Sequence, residues 1–589
     1  MDASLKNAAM VSEESPTTRR FVFPRLGDDQ VMLLLAFAVG ALTGLTVVAF
    51  ILLTERLGLK LYPVGSAAWR RVFIPIAGSL GIGYMLYRYF PDARGSGVPQ
   101  TKVALFVHNG VITLSTVLGK FFCTSATLAS GIPLGREGPA VQVGGGIASV
   151  LGRRLGLGPE KVKALLPAGA AAAIAAAFNT PLAAVLFALE EVMGDLNAPV
   201  LGSVVIASAT SWLVLRLILG NDPLFKVPVY RLVHPLELAI YAILGVVGGL
   251  VSVAFTKLLL GLRARMLRLP KRTQWLHPIL GGVVVGLMGW YVPQVLGVGY
   301  SYVGDALNNR MALGLMAMLI VLKLVSSAVA YGSGNAGGIF GPSLFIGAML
   351  GGTIGSIAHS LLPAYTAPAG AYALVGMGTA FAGIIRAPMT SVMMIFETTR
   401  DYTVIVPLMI SNLVSYFVSS QLQPKSIYVA LTLQDGIHLP GTEGQHRHLR
   451  RPVSRAMEPA KKILTADVTV AEAIARIRAS SGRTWLVMDH EDLLGIVTLA
   501  TLEEAGQSKN EAKVGDLLTG PPEFPHVHSD EGLDLVLDRM GSTGNDVLPV
   551  VSRANMRRLE GVVTLPNVLQ AFGCELQTPS EVEETFDRT

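Results

Sequence analysis

The segment Gly135-Arg-Glu-Gly-Pro-Ala-Val-Gln142 sets a carboxylate, Glu137, among glycines and a proline in an otherwise apolar part of the chain. Two related segments lie outward from it, Gly95-Ser-Gly-Val-Pro99 and Gly337-Gly-Ile-Phe-Gly-Pro342. In each, glycine lets the backbone approach a ligand and proline suits a first helical turn. The unpaired N–H groups of such a turn carry partial positive charge and bind anions without a full cation. Helix ends joined by a Ser hydroxyl hold a permeant anion weakly enough to release it. Close helix packing explains one such glycine segment equally well; three of them, with an internal repeat, favour a site. A carboxylate within a membrane is costly and usually functional. When ionised, Glu137 can take the anion's own place, and when protonated it can vacate it. A salt bridge to Arg136 is the plainer reading, but adjacent helical residues point to different faces.

Composition places these segments in a bilayer. The 589 residues are 51% hydrophobic and 15% charged, against about 25% charged in soluble domains, and mean hydropathy is +0.52. An ordinary cytosolic enzyme and a disordered chain are excluded. The net charge of +6 comes without the basic and aromatic clustering of a nucleic-acid surface. Cys123 and Cys574 provide no disulfide framework. Val31 to Thr54 is uncharged and longer than a signal-peptide core, so it reads as a span. Further uncharged stretches run Ala164–Leu189, Leu196–Leu215, Leu238–Thr256, Met311–Leu322 and Tyr402–Pro424. The longest, Leu324 to Ile385, is punctuated by Gly, Pro, Ser and Thr. Irregular backbone at that depth must be buried in protein or line a cavity, so several helices are expected to begin or end inside the bilayer.

An internal repeat is visible without alignment. Lys120, Ser130-Gly131 and Gly138-Pro139 recur 203 positions later as Lys323, Ser333-Gly334 and Gly341-Pro342. Phe178-Asn-Thr-Pro181 with Glu190 is echoed by Ile385-Arg-Ala-Pro388 with Glu397, 207 positions on. Duplicated membrane halves often bracket a midplane site built from discontinuous helices.

These motifs, with the late Tyr428, resemble the chloride channel and chloride/proton antiporter (CLC) family over roughly residues 30 to 435. The resemblance implies an all-α polytopic membrane protein with an inverted repeat of tilted, discontinuous helices, assembled as a homodimer with one pore per subunit. It implies that Ser96 and Tyr428 coordinate the central anion through their hydroxyls and that Ile339 and Phe340 add backbone amides. Glu137 matches the gating glutamate. Glu191 occupies the internal proton-transfer position, and Glu190 matches a more structural carboxylate; from the residues alone, the two glutamates could equally be a helix-end pair. The expected function is proton-coupled chloride antiport, with a passive chloride channel of the same fold as the alternative. Relatives preferring nitrate tend to carry Pro where this chain has Ser96, which points to chloride. Gln100 and Lys102 stand where several bacterial relatives have acidic residues, and a different surface or interface is expected there.

Residues 1–30 are expected as a cytoplasmic N-terminal segment and 31–435 as the transmembrane domain, with halves about 31–220 and 235–435. A linker over 436–452 then leads to α/β units at 453–509 and 510–573 and a C-terminal tail at 574–589. The basic stretches at both ends of the membrane region suggest cytoplasmic termini, although a solvated linker accounts equally well for His446 to Arg455. The two units each lead from a helix (Val470–Arg478; Gly532–Met540) to strands ending Gly495-Ile-Val-Thr498 and Gly561-Val-Val-Thr564. They resemble a tandem CBS module. Such modules often bind adenine nucleotides through an Asp three residues after the Thr, where this chain has Thr501 and Asn567. That departure puts nucleotide binding in doubt and leaves dimer stabilisation at least as strong a reading. No metal or other cofactor is expected. An intramembrane metalloprotease needs an H-E-x-x-H pattern, which none of the ten His residues forms. A divalent-cation transporter needs clustered carboxylates, which the glycine segments lack. The expected setting is a bacterial inner membrane.

Overall fold

The computed structural model describes residues 27–571 apart from 64, 197–199, 221–223, 226, 400–401, 438, 440–450, 480–483, 491, 507–510 and 519–523. Residues 27–30 of the expected N-terminal segment are described, as the approach to and start of the first helix; its remaining residues, most of the basic linker, Cys574 and the C-terminal tail lie outside that set. The chain divides into two compact units at Leu439/Pro440.

The first unit is helical. Its first half runs α1 (Asp28–Leu61), α2 (Arg70–Arg88), α3 (Val98–Phe106), α4 (Leu114–Ala129), α5 (Glu137–Arg154), α6 (Pro159–Phe178), α7 (Pro181–Phe187), a π-helical turn (Ala188–Met193) and α8 (Leu201–Leu219). The second half runs α9 (Glu237–Leu267), α10 (His277–Tyr291), α11 (Tyr300–Leu307), α12 (Leu313–Gly332), α13 (Phe340–Leu361), α14 (Ala369–Ile385), α15 (Pro388–Thr399), α16 (Ile405–Leu422) and α17 (Ile427–Gln434). Among the described residues seven helical stretches are long and apolar enough to cross a membrane.

Two sequence expectations change. Met311–Leu322 and the start of the stretch after it, as far as Gly332, share one helix, α12, which runs through Lys323; that ammonium is fully buried and donates to the carbonyls of Gly297 (2.6 Å) and Val295 (3.1 Å). Ala164–Leu189 is not one helix. Asn179 ends α6 in the left-handed conformation (φ 61°), and α7 restarts at Pro181.

The repeat is structural. Lys120 is buried like its mate Lys323 and donates to the Gly95 carbonyl at 2.8 Å, as Lys323 does to Gly297. Arg386 caps α14 at φ 69°, matching Asn179. Gly144 of α5 lies so close to α6 that a Cβ would stand 2.2 Å from the Gly169 carbonyl, and Gly347 of α13 meets the Gly376 carbonyl of α14 at the same 2.2 Å. Glu190 accepts from the amides of Met389 and Thr390 at the start of α15, while Glu397 accepts from those of Leu182 and Ala183 at the start of α7. Each half thus caps a helix of the other, where carboxylates are favoured by the helix dipole.

Among the described residues the second unit holds a six-stranded sheet and four α-helices. Its strands are β1 (Met457–Glu458), β2 (Ile463–Thr465), β3 (Thr484–Asp489), β4 (Asp492–Thr498), β5 (Val547–Ser552) and β6 (Asn555–Thr564), in the order β1-β6-β4-β3-β2 with β5 on β6. Helices α18 (Val470–Arg478) and α20 (Leu533–Thr543) each precede an antiparallel strand pair, and α19 (Leu499–Gly506) and α21 (Leu565–Ala571) follow them. Three apolar clusters result, one around Leu464, Val487 and Val497, one around Val536, Val550 and Val563, and one that joins Leu486 and Leu493 to Val551 and Val562.

Candidate functional site

The three glycine segments meet at one point. Gly135 and Gly338 exchange reciprocal backbone hydrogen bonds of 2.7 Å in an isolated antiparallel bridge. Gly338 is the repeat mate of Gly135, so the bridge straddles the axis that relates the halves. Gly97 stands at φ 104°, and a Cβ there would lie 2.3 Å from the Gly138 carbonyl. A Cβ on Gly138 would in turn lie 2.6 Å from the Ser96 carbonyl and 2.8 Å from its Oγ. Only glycine permits this approach.

From this junction α5 and α13 depart, and α3 begins beside it. Ile339 is the residue preceding α13, and with Phe340 it is fully buried. The first amides of a helix have no intrahelical acceptor. The Gly338 amide is spent on Gly135, and those of Ile339 and Phe340 follow it along the chain. The Phe340 ring packs on Phe178, Phe187 and Phe381 at centroid distances of 6.0, 5.1 and 5.0 Å, an apolar cage that fixes the start of α13.

Ser96 and Tyr428 are fully buried. Their hydroxyls are neighbours, yet neither is engaged in a hydrogen bond. Tyr428 reaches this point because α17 begins one residue earlier, behind the Ser426 hydroxyl that caps it. An unsatisfied buried polar group costs about 1–3 kcal/mol. A fold that keeps two such groups side by side holds them ready for a polar ligand.

Glu137 opens α5 and is fully buried. Its Oε1 accepts a hydrogen bond from the Tyr300 hydroxyl, and its Oε2 has no partner. A Cβ on Gly135 would fall 2.3 Å from Oε2, so the carboxylate folds back over a position that must be glycine. Arg136 does not pair with it; that guanidinium lies 5.9 Å from the Tyr300 ring centroid and 3.9 Å from Glu55. Tyr300 was not among the sequence candidates. A signal for it exists: Gly297-Val-Gly299-Tyr300 echoes Gly95-Ser-Gly97-Val98, and all four glycines have positive φ.

Glu191 lies in the π-helical turn and is nearly buried, with Oε1 2.8 Å from Lys102 Nζ. This corrects the expectation that Lys102 alters a surface or interface: it is buried on α3 and paired with Glu191. Gln100 instead turns back to accept from the Gly97 amide at 2.8 Å, bracing the turn that carries Ser96. Glu190 is a different kind of group. Like Glu237 and Glu397, it accepts from backbone amides, whereas the contacts found for Glu137 and Glu191 are to side chains.

On one side the junction opens into a cavity of about 1040 Å³, lined by Gly95, Pro99, Arg94, Arg263, His277 and Thr432 among others. Glu137 and Tyr300 are not in its wall. Among the described residues no group of three or more His, Cys, Asp or Glu side chains is arranged to hold a metal ion.

Comparison with known proteins agrees with this architecture. The chain is 34% identical over 366 residues to the "H(+)/Cl(-) exchange transporter ClcA" of Vibrio campbellii, covering 61% of this chain and 78% of that protein. It is 34% identical over 385 residues to the "Putative chloride channel protein ClcB-like" of Ralstonia nicotianae, covering 63% of this chain and 88% of that one. Among solved structures it is similar to that of a slow cyanobacterial Cl−/H+ antiporter, with a TM-score of 0.62 and 26% identity over 70% of this chain and 98% of that one. Residues 78–420, more than half the chain, match the family described as voltage gated chloride channel, and the protein therefore belongs to that family, the CLC proteins.

Proposed function

We propose that this protein exchanges chloride for protons across a membrane. Membership of the CLC family makes it a transport protein and not an enzyme. The observation that carries the exchange reading is the buried Glu137 carboxylate, held by Tyr300 at the start of α5 beside the unpaired hydroxyls of Ser96 and Tyr428. Chloride takes the place those hydroxyls face, with the amides of Ile339 and Phe340 as further donors. Ionised Glu137 and the anion compete for the positive end of α5. Protonation removes that competition, and the neutral side chain moves aside. A second carboxylate, Glu191, passes the proton between Glu137 and the other side. Exchange relatives and a structurally similar Cl−/H+ antiporter support the reading.

A passive chloride channel is the second reading. The Lys102–Glu191 ion pair favours it, because a carboxylate held by an ammonium can serve structure alone. The family resemblance also supports a homodimer with one pore in each subunit, in a bacterial inner membrane with cytoplasmic termini. For the C-terminal unit we favour a dimer-stabilising CBS-type module over a nucleotide site. The Thr501 hydroxyl turns back to the Thr498 carbonyl at 2.8 Å, and Asn567 reaches the Ala456 carbonyl.

The deciding experiment places purified protein in liposomes with an inward chloride gradient and a pH electrode outside. Protons driven uphill by chloride are expected; chloride flow without proton movement establishes the channel. Glu137→Gln is expected to abolish proton coupling while chloride still crosses, and pH-dependent exchange surviving in that variant removes Glu137 from the mechanism.

A further inference from the structure

The exchange cycle above gives Lys102 no role, yet its ammonium is the cation in direct contact with Glu191. Both side chains are almost out of solvent, 9% and 7% exposed, with Nζ 2.8 Å from Oε1. The elements packed on the π-helical turn are α3, α6 and α7. Helix α3 brings Lys102. Helix α6 shares an apolar cluster with the turn through Ala168, Ala171 and Ala172, and its Glu160, Lys161 and Lys163 lie in its first turns. Helix α7 carries no charged side chain. The adjoining Glu190 gives its carboxylate to Met389 and Thr390. Arg386 also acts on Glu191 from a distance, while its guanidinium donates to the carbonyls of Ser419, Gln423 and Pro424. The Tyr428 hydroxyl is a neutral neighbour.

A carboxylate that relays protons must spend part of every cycle as the neutral acid. An ammonium at hydrogen-bond distance favours the ionised form, and it does so more strongly away from water. We propose that Lys102 is the positioning residue of the proton route, fixing Glu191 and biasing it toward the ionised form, so that a proton loads in competition with the ammonium. The proton adds to a Glu191 carboxylate oxygen, leaving an ammonium beside a neutral acid. When that proton departs towards Glu137 the ion pair re-forms, and Lys102 keeps its own proton throughout. Its consequence is a restrained rate of proton loading that rises steeply with acidity on the Glu191 side. The inference rests on the relay role proposed for Glu191.

The test uses the full chain with Lys102→Met and Lys102→Arg. In liposomes, Lys102→Met is expected to move the pH of half-maximal proton transport upward by about one to three units, the effect an adjacent opposite charge has on a carboxylate. Lys102→Arg is expected to keep the parental profile. In detergent, the infrared carbonyl band of protonated Glu191, identified by its loss in Glu191→Gln, is expected to persist to higher pH in Lys102→Met than in the parent. An unshifted band overturns the proposal, as does an equal change in the Met and Arg variants. Should Lys102→Met fail to fold, Lys102→Gln, which retains a hydrogen-bond donor without the charge, supplies the same two readings. The infrared titration also separates this proposal from antiport itself. A parent that moves chloride but no protons ends the antiport reading, while the band still reports whether Lys102 governs Glu191.

Discussion

Glu137 and Tyr300 stand 163 positions apart in sequence and share one hydrogen bond. A hydrogen bond to a charged group is worth about 1.5–3 kcal/mol, which is the scale on which chloride must compete with the carboxylate. Tyr300→Phe is therefore expected to loosen Glu137 from its seat, raising chloride flux and lowering the number of protons moved per chloride. Simultaneous chloride-electrode and pH-electrode traces check it, and an unchanged ratio denies Tyr300 that part. Ser96 carries the argument on selectivity. Proline there would delete the hydroxyl that neighbours Tyr428, so Ser96→Pro is expected to shift preference from chloride towards nitrate in paired flux assays. Glu137 stood out in the sequence as a carboxylate inside a glycine motif, while the anion-binding roles expected of Ser96, Ile339, Phe340 and Tyr428 came from the family resemblance. Tyr300 and Lys102 escaped because their partners are distant in sequence, Lys102 by 89 residues, and only the tertiary fold brings them together.

At the scale of elements, the crossed capping of α7 and α15 distinguishes two glutamates that composition cannot. Glu397 closes the first turn of α7 and Glu190 that of α15, and loss of an N-terminal cap costs about 0.5–2 kcal/mol. Glu397→Ala and Glu190→Ala are each expected to lower stability by that order in thermal unfolding in detergent while leaving the proton-to-chloride ratio intact. A changed ratio in either would give that residue a share of the proton route. The duplication behind this symmetry was readable from five landmarks, because glycines at positive φ and carbonyl-binding lysines tolerate few replacements. Helices α2, α4 and α10 were not readable as spans. They are short or carry charge, and part of each is buried against neighbouring helices. The break at Asn179 was also invisible to hydropathy, since it changes direction without changing polarity.

At the scale of the whole transmembrane unit, charge is arranged around one mouth. The cavity beside the junction has Arg94, Arg263 and Lys271 in its wall against Asp92 and Asp435, and His108 and His277 line it as well. Arg263 is neutralised by Asp435 at 2.6 Å. Arg94 joins no ion pair among the described residues and immediately precedes Gly95-Ser96, where its guanidinium lies against Gly334 of the other half. A cleft lined by one sign of charge raises the local concentration of counter-ions and their arrival rate by about 10–10³. Arg94→Glu is accordingly expected to slow chloride turnover several-fold at low ionic strength. The deficit should shrink as an impermeant salt shortens the screening length from about 30 Å at 0.01 M to about 3 Å at 1 M. The measurement holds chloride constant and varies isethionate, with Arg94→Gln expected between the parent and the Glu variant. A deficit that salt does not relieve would assign Arg94 to structure, through the turn that Lys120 ties down at the Gly95 carbonyl. Relief by salt places it on the path by which the anion reaches Ser96.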